Sequence, residues 1–368
     1  MDIGQRLKIA REATGYTQEK VFELTGIGKS SLSAYEHNYR EPRFSDLSRL
    51  AEIYRKSIEF FLTDQPITTE MMLWRERPID AGVAKETEAR FTQLCEQYRK
   101  LEKLTGEVKE VELPRIDIKA DQFTYRKANF LAEKVQKEFG LGEIPSASLK
   151  QMLEEKYHVK IFNLSFPGSA ISRLSPTFGP AILLNKDSKL WRRNFDLAHE
   201  LFHILTWHIF RIKDTTNAEP AEGEEQFANA FASRLLLPTD IVKNRIEFAI
   251  NERHEVSFEA LDEIAREFGV SLDALMWRLL YLYNKPAEQI EKYIAHAKNI
   301  MDNLPHRKSD EPEELPERYC RLAIKALREG KLSLMRFAKY MEISYKLAQE
   351  YLTEDEEFKD EKISISVA

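Results

Sequence analysis

The chain has 368 residues, enough for two or three domains, and its 43% hydrophobic and 32% charged content is typical of globular proteins. The net charge of −6 argues against nucleic-acid binding through bulk charge, so any DNA contact must come from a local surface. Two distant cysteines, Cys95 and Cys320, argue against a disulfide framework or a cysteine-based zinc site and favour a reducing cytoplasm. We expect neither a signal peptide nor a membrane-spanning segment.

Five short helices are predicted within residues 2–64. Thr17 is a good N-cap for the second helix. Gly26 and Gly28 then form a tight turn before a third helix at 29–36. Two helices joined by a glycine-containing turn indicate a helix-turn-helix arrangement.

Three stretches resemble the XRE (Cro/C1-type) repressors: Gly-Tyr-Thr-Gln-Glu-Lys-Val, Gly-Ile-Gly-Lys-Ser-Ser-Leu-Ser-Ala-Tyr-Glu and Arg-Glu-Pro, all within residues 4–62. The resemblance implies that the third helix enters the major groove of double-stranded operator DNA. Gln18 would face a phosphate or a base, and Lys29, Ser30 and Ser33 would face the groove. Acidic and basic residues roughly balance here, so we expect modest affinity per monomer, helped by dimerisation.

Residues 65–118 are predicted to hold a linker and a long helix. The run from Trp74 to Pro78 indicates a linker with an aromatic anchor. Residues 83–104 carry apolar side chains at helical spacing, namely Phe91, Leu94, Cys95, Tyr98, Leu101 and Leu104. This stripe is either the seam of a homodimer or a surface that packs on the next domain.

A further unit is predicted over residues 119–285. It begins with two helices, at 125–139 and 147–156. Alternating apolar residues then predict strands at 158–164, 169–174 and 180–185. A small sheet is therefore expected directly before the helix with the most informative motif.

That motif is His-Glu-x-x-His, formed by His199, Glu200 and His203 on a helix that should end near residue 207. The four-residue spacing places both imidazoles on one helix face, which suits two ligands of a tetrahedral zinc ion. Glu200 is then placed to act as a general base toward water. Because the helix is apolar around most of its circumference, it should be buried, and its polar groups need partners that a metal would supply.

A third zinc ligand is expected from another element. The apolar spacing from Phe227 to Leu235 predicts a helix with Glu224 and Glu225 near its start. Both carboxylates stay in contention, because each shares a face with Ala228.

Phe-Asp-Leu-Ala-His-Glu-Leu-Phe-His, followed by Glu-x-x-Ala-Asn-x-Phe-Ala-x-x-Leu-Leu-Leu-Pro, resembles the ImmA/IrrE metallopeptidase family over roughly residues 120–285. The resemblance implies a gluzincin-like core and a zinc ion held by His199, His203 and Glu225. It also places Asn229 behind a ligand as a supporting residue.

Three other polar residues are candidates for supporting roles. Many members of the resembled family have threonine where this chain has Asp196, whose carboxylate could orient a ligand histidine or cap the helix. Arg278 and Tyr281 could donate hydrogen bonds to a transition state.

The C-terminal part is predicted as a linker at 286–314, a helical module at 315–354 and an acidic tail at 355–368. Residues 332–344 resemble a weak second helix-turn-helix, interpreted as an interaction module with DNA binding as the alternative. The predicted fold class is mainly α with a small β-sheet (α+β). It comprises a five-helix helix-turn-helix domain at 1–64, the gluzincin-like metallopeptidase domain and a C-terminal helical extension.

The two resemblances together predict a cytoplasmic, DNA-binding transcriptional regulator whose zinc-dependent endopeptidase domain cleaves a specific regulatory protein, either a repressor or an antitoxin. The alternative is a regulator whose zinc domain is a sensor or structural element without peptidase activity. A general protease is less favoured, because a sequence-specific DNA-binding domain suggests narrow proteolysis. Homodimerisation is left open, and no membrane contact is expected.

Overall fold

The computed structural model describes residues 2–63, 71–109, 112–211, 223–251, 255–284 and 311–357, together with residues 286, 288, 291, 292 and 294. It is mostly helical with one four-stranded sheet, which confirms the predicted α+β class. Most of the predicted linker at 286–314 and of the acidic tail lies outside the described residues. None of the helices in these ranges combines the length and apolarity needed to cross a membrane.

The N-terminal domain contains the five predicted helices. They are α1 (Ile3–Ala13), α2 (Gln18–Thr25), α3 (Lys29–Glu36), α4 (Phe44–Ile53) and α5 (Ile58–Leu62). The Thr17 side chain accepts a hydrogen bond from the Lys20 amide and begins α2, and Gly26 ends it in the left-handed conformation. The helices enclose a small core that includes Leu7, Val21, Leu32, Leu50 and Phe61.

The sheet is formed by four strands in the order β1-β3-β4-β2. They are β1 (Leu73–Arg75), β2 (Lys160–Leu164), β3 (Ala170–Ser175) and β4 (Gly179–Asn185). Strands β2 and β4 are parallel and the other pairs are antiparallel. The last three strands agree with the sequence analysis within two residues. Strand β1 does not, because the pattern around Trp74 indicated only a linker with an aromatic anchor.

Helices cover both faces of this sheet. In chain order they are α6 (Ala81–Thr105), α7 (Tyr125–Phe139), α8 (Pro145–Glu155), α9 (Leu190–Phe210), α10 (Glu224–Leu236), α11 (Thr239–Ala249), α12 (Phe258–Glu267), α13 (Leu272–Tyr283), α14 (Glu317–Arg328), α15 (Leu334–Tyr340) and α16 (Tyr345–Glu357). Ile161 and Ile182 share one core with α7 to α13, whereas Phe162 and Leu183 share the other with α6 and α14 to α16. The C-terminal helices are therefore the second cover of the sheet.

The apolar stripe of α6 packs within the chain. The rings of Phe91 and Tyr98 lie 6.3 and 6.0 Å from that of Phe162, and Tyr98 lies 5.4 Å from Tyr319 of α14. Of the two interpretations of this stripe, the structure shows packing on the next domain. A homodimer, if one forms, needs another surface.

A buried ionic cluster ties α6, β2 and α14 together. The Glu102 carboxylate accepts a hydrogen bond from Arg318 Nη1 at 2.7 Å and lies 3.2 Å from Lys160 Nζ, and all three side chains are at most 2% exposed. Burial favours the protonated form of Glu102, but Lys160 and Arg318 outweigh it and lower the pKa of this carboxyl. The negative charge of Glu102 thus holds the C-terminal helices to the sheet. Its removal would leave Lys160 and Arg318, both buried, without their shared carboxylate.

We predict that Glu102→Gln lowers the free energy of unfolding by about 3–5 kcal/mol, the usual cost of breaking a buried ion pair. Urea denaturation measures the change. The control is Glu155→Gln, which removes an exposed pair with Arg321 and should cost less than about 1 kcal/mol. Equal effects of the two substitutions would contradict the structural role given to the cluster.

Candidate metal centre

The metal-ligand motif lies on α9, which packs against β3 and β4. His199, Glu200 and His203 are each at most 2% exposed. One helical turn separates the two histidines, and their ring centroids are 5.0 Å apart. The helix therefore carries three titratable groups into the interior, as its apolar sequence predicts.

Three side chains converge at one point between α9 and α10. The Nε2 atoms of His199 and His203 are 3.2 Å apart, and the Glu225 carboxylate lies 3.1 Å from the first and 3.3 Å from the second. Within the described ranges, this is the group of potential ligands found close enough to hold a metal ion. The structure thus brings Glu225 to the Nε2 atoms of both histidines, whereas Glu224, the other carboxylate in contention, reaches the Nδ1 atom of His203.

The opposite ring nitrogens are held from behind. His199 Nδ1 donates to Asn229 Oδ1 at 3.0 Å, and His203 Nδ1 donates to Glu224 Oε1 at 2.8 Å. Since both partners accept, each imidazole in its neutral form presents its Nε2 lone pair to the centre and to the Glu225 oxygens. Converging acceptors repel unless a cation lies between them, and two imidazoles with one carboxylate are a donor set that suits zinc.

The pKa values of these side chains also reflect the convergence of acceptor atoms. Burial lowers the pKa of His199 to about 4. Burial also opposes charge on His203, but hydrogen bonds to Glu224 and Glu225 outweigh it and raise its pKa to about 9. Burial by itself would raise the pKa of Glu225. Hydrogen bonds and charge from the two imidazoles outweigh burial and lower the pKa of this carboxyl far below its ordinary value. The centre therefore favours a positive charge among these three side chains.

Glu200 is buried beside the converging groups, and neither of its carboxylate oxygens has a hydrogen-bond partner among the described residues. Burial raises its pKa to about 7, while His203 and the Ser172 hydroxyl of β3 act in the opposite direction. A carboxyl group with a pKa near neutrality can both take up and release a proton, which is what a general base requires.

Asp196 contacts neither histidine in any hydrogen bond or ion pair of the described chain. Its buried carboxylate lies 2.9 Å from Arg75 Nη1 of β1 and 3.2 Å from Arg192 Nε. Arg192 also donates to Glu76 and to Ser169. Asp196 therefore joins the catalytic-motif helix to strand β1, a role that the sequence did not indicate.

Arg278 and Tyr281 lie elsewhere. Arg278 donates to the Leu237 carbonyl and to Thr239 Oγ1, and Tyr281 is 73% exposed. The residue that the sequence analysis missed is Arg211, which donates from both Nη atoms to Glu224 at 2.9 Å. Its only sequence signal is an arginine at the end of one helix, with acidic residues at the start of the next.

The predicted DNA-binding residues lie at the start of α2 and along α3. Lys29 and Ser30 are exposed, and Lys29 pairs with Glu19 of α2. Ser33 is half-buried. Gln18 donates to Glu36 at 3.0 Å, so in this structure its amide is engaged within the domain.

Comparison with known proteins assigns two segments of the chain. Residues 7–61 match the helix-turn-helix family model, and residues 154–280 match the M78 peptidase model, described as the IrrE N-terminal-like domain. Both resemblances inferred from the sequence are thereby confirmed. Strand β1 and Arg75 lie outside both matched segments.

Three curated relatives match the chain, each over less than a fifth of its length, and all three are from Bacillus subtilis (strain 168). The HTH-type transcriptional regulator ImmR is 42% identical over 62 residues, which are 17% of this chain and 49% of that protein. The uncharacterized HTH-type regulator YobD is 39% identical over 17% of this chain and 57% of its own length. The SPbeta prophage-derived uncharacterized regulator YonR is 34% identical over 16% of this chain and 55% of its own length. The chain thus spans about half the length of the curated relatives it matches.

A solved structure of a Mycobacterium tuberculosis transcriptional regulator has a TM-score of 0.31 and 18% sequence identity to this chain. The match covers 51% of each chain. A similarity of this size assigns no fold.

We predict that Arg75→Ala lowers the free energy of unfolding by about 3 kcal/mol, the low end for a broken buried pair, because Arg192 remains beside Asp196. Combining Arg75→Met with Asp196→Leu should restore most of the loss, since an apolar pair then replaces the charges. Arg77→Ala, which removes an exposed arginine two residues away, is the control. Denaturant titration of the four proteins measures the effects, and an Arg75→Ala protein as stable as the control would contradict the assignment.

Proposed function

Because one chain combines a helix-turn-helix domain with an IrrE N-terminal-like domain, we propose that the protein is a DNA-binding transcriptional regulator and a zinc-dependent endopeptidase. The observation that carries the enzymatic part is the convergence of His199, His203 and Glu225 beside an unpartnered, buried Glu200. The bond cleaved is a peptide bond, and the substrate is a specific regulatory protein, a repressor or an antitoxin.

The orientation of the three ligand side chains fits a zinc ion. Asn229 and Glu224 fix the imidazoles so that both Nε2 lone pairs face the Glu225 carboxylate. A zinc ion bound there would polarise the scissile carbonyl and make water more acidic. Residues on three different turns of two helices hold the site, so its geometry depends on the packing of α9 against α10.

Glu200 supplies the proton transfer. It follows His199 directly on α9 and lies near the Ser172 hydroxyl of β3. In the proposed reaction it takes a proton from the attacking water and passes it to the leaving amine, so that no net proton is consumed by the enzyme. Its burial keeps bulk water from screening this transfer.

The helix-turn-helix domain links the proposed cleavage to gene regulation. Lys29 and Ser30 are exposed at the start of α3, where a recognition helix contacts bases and phosphates. A peptidase delivered to an operator in the cytoplasm meets few proteins, which favours a narrow substrate range. The products of genes adjacent to this one are the first substrates to test.

We predict that Glu200→Gln binds one zinc ion per chain and binds operator DNA like the wild type, yet loses cleavage by at least about 100-fold, the usual contribution of a general base. Metal content is measured by elemental analysis, and cleavage by mass spectrometry of the purified candidate substrates. His208→Ala is the matched control, because His208 lies on the same helix but binds the Ile116 carbonyl at the surface. Undiminished cleavage by Glu200→Gln would contradict the proposed role of Glu200 as the general base.

One observation favours a second function. His199, Glu200 and His203 are each at most 2% exposed, so a peptide substrate has little access to them in this conformation. The alternative is a regulator whose zinc domain senses metal without cutting. Operator affinity that changes with chelation, together with no cleavage of any neighbouring-gene product, supports this alternative.

We predict that Lys29→Ala weakens operator binding and reduces the slope of log affinity against log salt by about 1, as expected for the loss of one phosphate contact. Ser30→Ala should weaken binding with little change in that slope. Fluorescence anisotropy over a salt series measures both. Lys331→Ala, an exposed lysine between α14 and α15, is the control, and equal effects of Lys29→Ala and Lys331→Ala would refute the α3 interface.

A further inference from the structure

We infer that Glu224 and Arg211 form a charged support that positions His203 for metal binding, an inference that rests on the proposed zinc site. Glu224 lies directly beside Glu225 in the chain but turns to the other side of the ligand histidine. Its carboxylate accepts from His203 Nδ1 at 2.8 Å while receiving both Nη atoms of Arg211 at 2.9 Å. Among the contacts of the described residues, Glu224 reaches His203 at Nδ1, across the ring from the converging Nε2 atom, and Arg211 reaches Glu224, so both act through His203.

The two histidines are supported by different chemistry. His199 donates to the neutral amide of Asn229, whereas His203 donates to a carboxylate. A hydrogen bond to a charged acceptor is stronger, fixes the ring more firmly and makes the opposite nitrogen a better donor to a metal. His203 should therefore be the more tightly held of the two ligands.

Arg211 offsets the free-energy cost of burying the Glu224 carboxylate at this position. Glu224 is 1% exposed, and the Arg211 guanidinium pairs with both of its carboxylate oxygens. A buried charge needs such a partner, since an unpaired one costs several kcal/mol.

Helix geometry brings the pair together. Arg211 is the C-cap of α9, directly after Phe210, and Glu224 is the first residue of α10. A cation at a helix C-terminus and an anion at an N-terminus each interact favourably with the helix dipole. The pair thus joins the end of the helix that carries two ligands to the start of the helix that carries the third.

The test is the zinc affinity of the full-length chain, measured by competition with a chromogenic chelator. We expect Glu224→Gln to weaken zinc binding by about 10- to 100-fold, the usual effect of losing such a support. Arg211→Met should weaken it in the same direction. The control is Glu133→Gln, which removes a carboxylate that binds Arg234 of α10 at the surface, and it should leave zinc affinity unchanged.

The double variant Glu224→Gln with Arg211→Met removes both charges of the pair, so that neither is left unpaired in the interior, and it guards against loss of folding in Glu224→Gln. If Arg211 acts only through Glu224, the double variant binds zinc as Glu224→Gln does, within about 2-fold, instead of showing the product of both losses. The absorption spectrum of the cobalt-substituted proteins gives a second readout. We expect it to change in the Glu224 variants, because a reoriented His203 alters the ligand field.

The outcomes separate this inference from the proposed function. Wild-type protein that binds no zinc overturns both. Wild-type protein that binds zinc, with Glu224→Gln and the double variant binding it equally well, overturns only the support assigned to Glu224 and Arg211. Weakened binding in both variants with an unchanged control supports the inference, whether or not any substrate is cleaved.

Discussion

The arrangement around the candidate site depends on the repulsion between acceptor atoms that converge in the interior. Two imidazole lone pairs and a carboxylate face one another at 3.1–3.3 Å, because Asn229 and Glu224 take the protons of the opposite ring nitrogens. Such a group is stable only with a cation at its centre or a proton in its place. Burial also raises the pKa of Glu200, which lies on the same apolar helix as the two histidines.

The site also depends on the sheet against which α9 packs. Helix α9 lies on one face, and α6 with the C-terminal helices lies on the other, held by Glu102 and its two buried cations. Strand β1 extends the sheet from a part of the chain that neither family model covers, and Arg75 binds the helix one turn before Glu200. The sheet therefore extends beyond the matched segment at 154–280, and its edge strand β1 lies between the two matched segments in the chain.

The chain between the two matched segments contributes Trp74 and Arg75 to the sheet. Arg75 binds Asp196 of α9, and Trp74 donates to Glu88 of α6, so strand β1 contacts the helices on both faces of the sheet.

Local spacing and motifs in the sequence predicted the helix-turn-helix helices, three strands and the His-Glu-x-x-His helix. The spacing left Glu224 and Glu225 open, since both share a face with Ala228, and the family resemblance pointed to Glu225 as a ligand and to Asn229 behind one. The packing of α10 on α9 gives the physical reason, because it carries Glu225 to the Nε2 atoms and Glu224 to the Nδ1 atom of His203. Tertiary structure alone placed β1 in the sheet, paired Arg75 with Asp196 and paired Arg211 with Glu224. The two ion pairs join residues 121 and 13 positions apart, distances over which helical and strand periodicity carry no information.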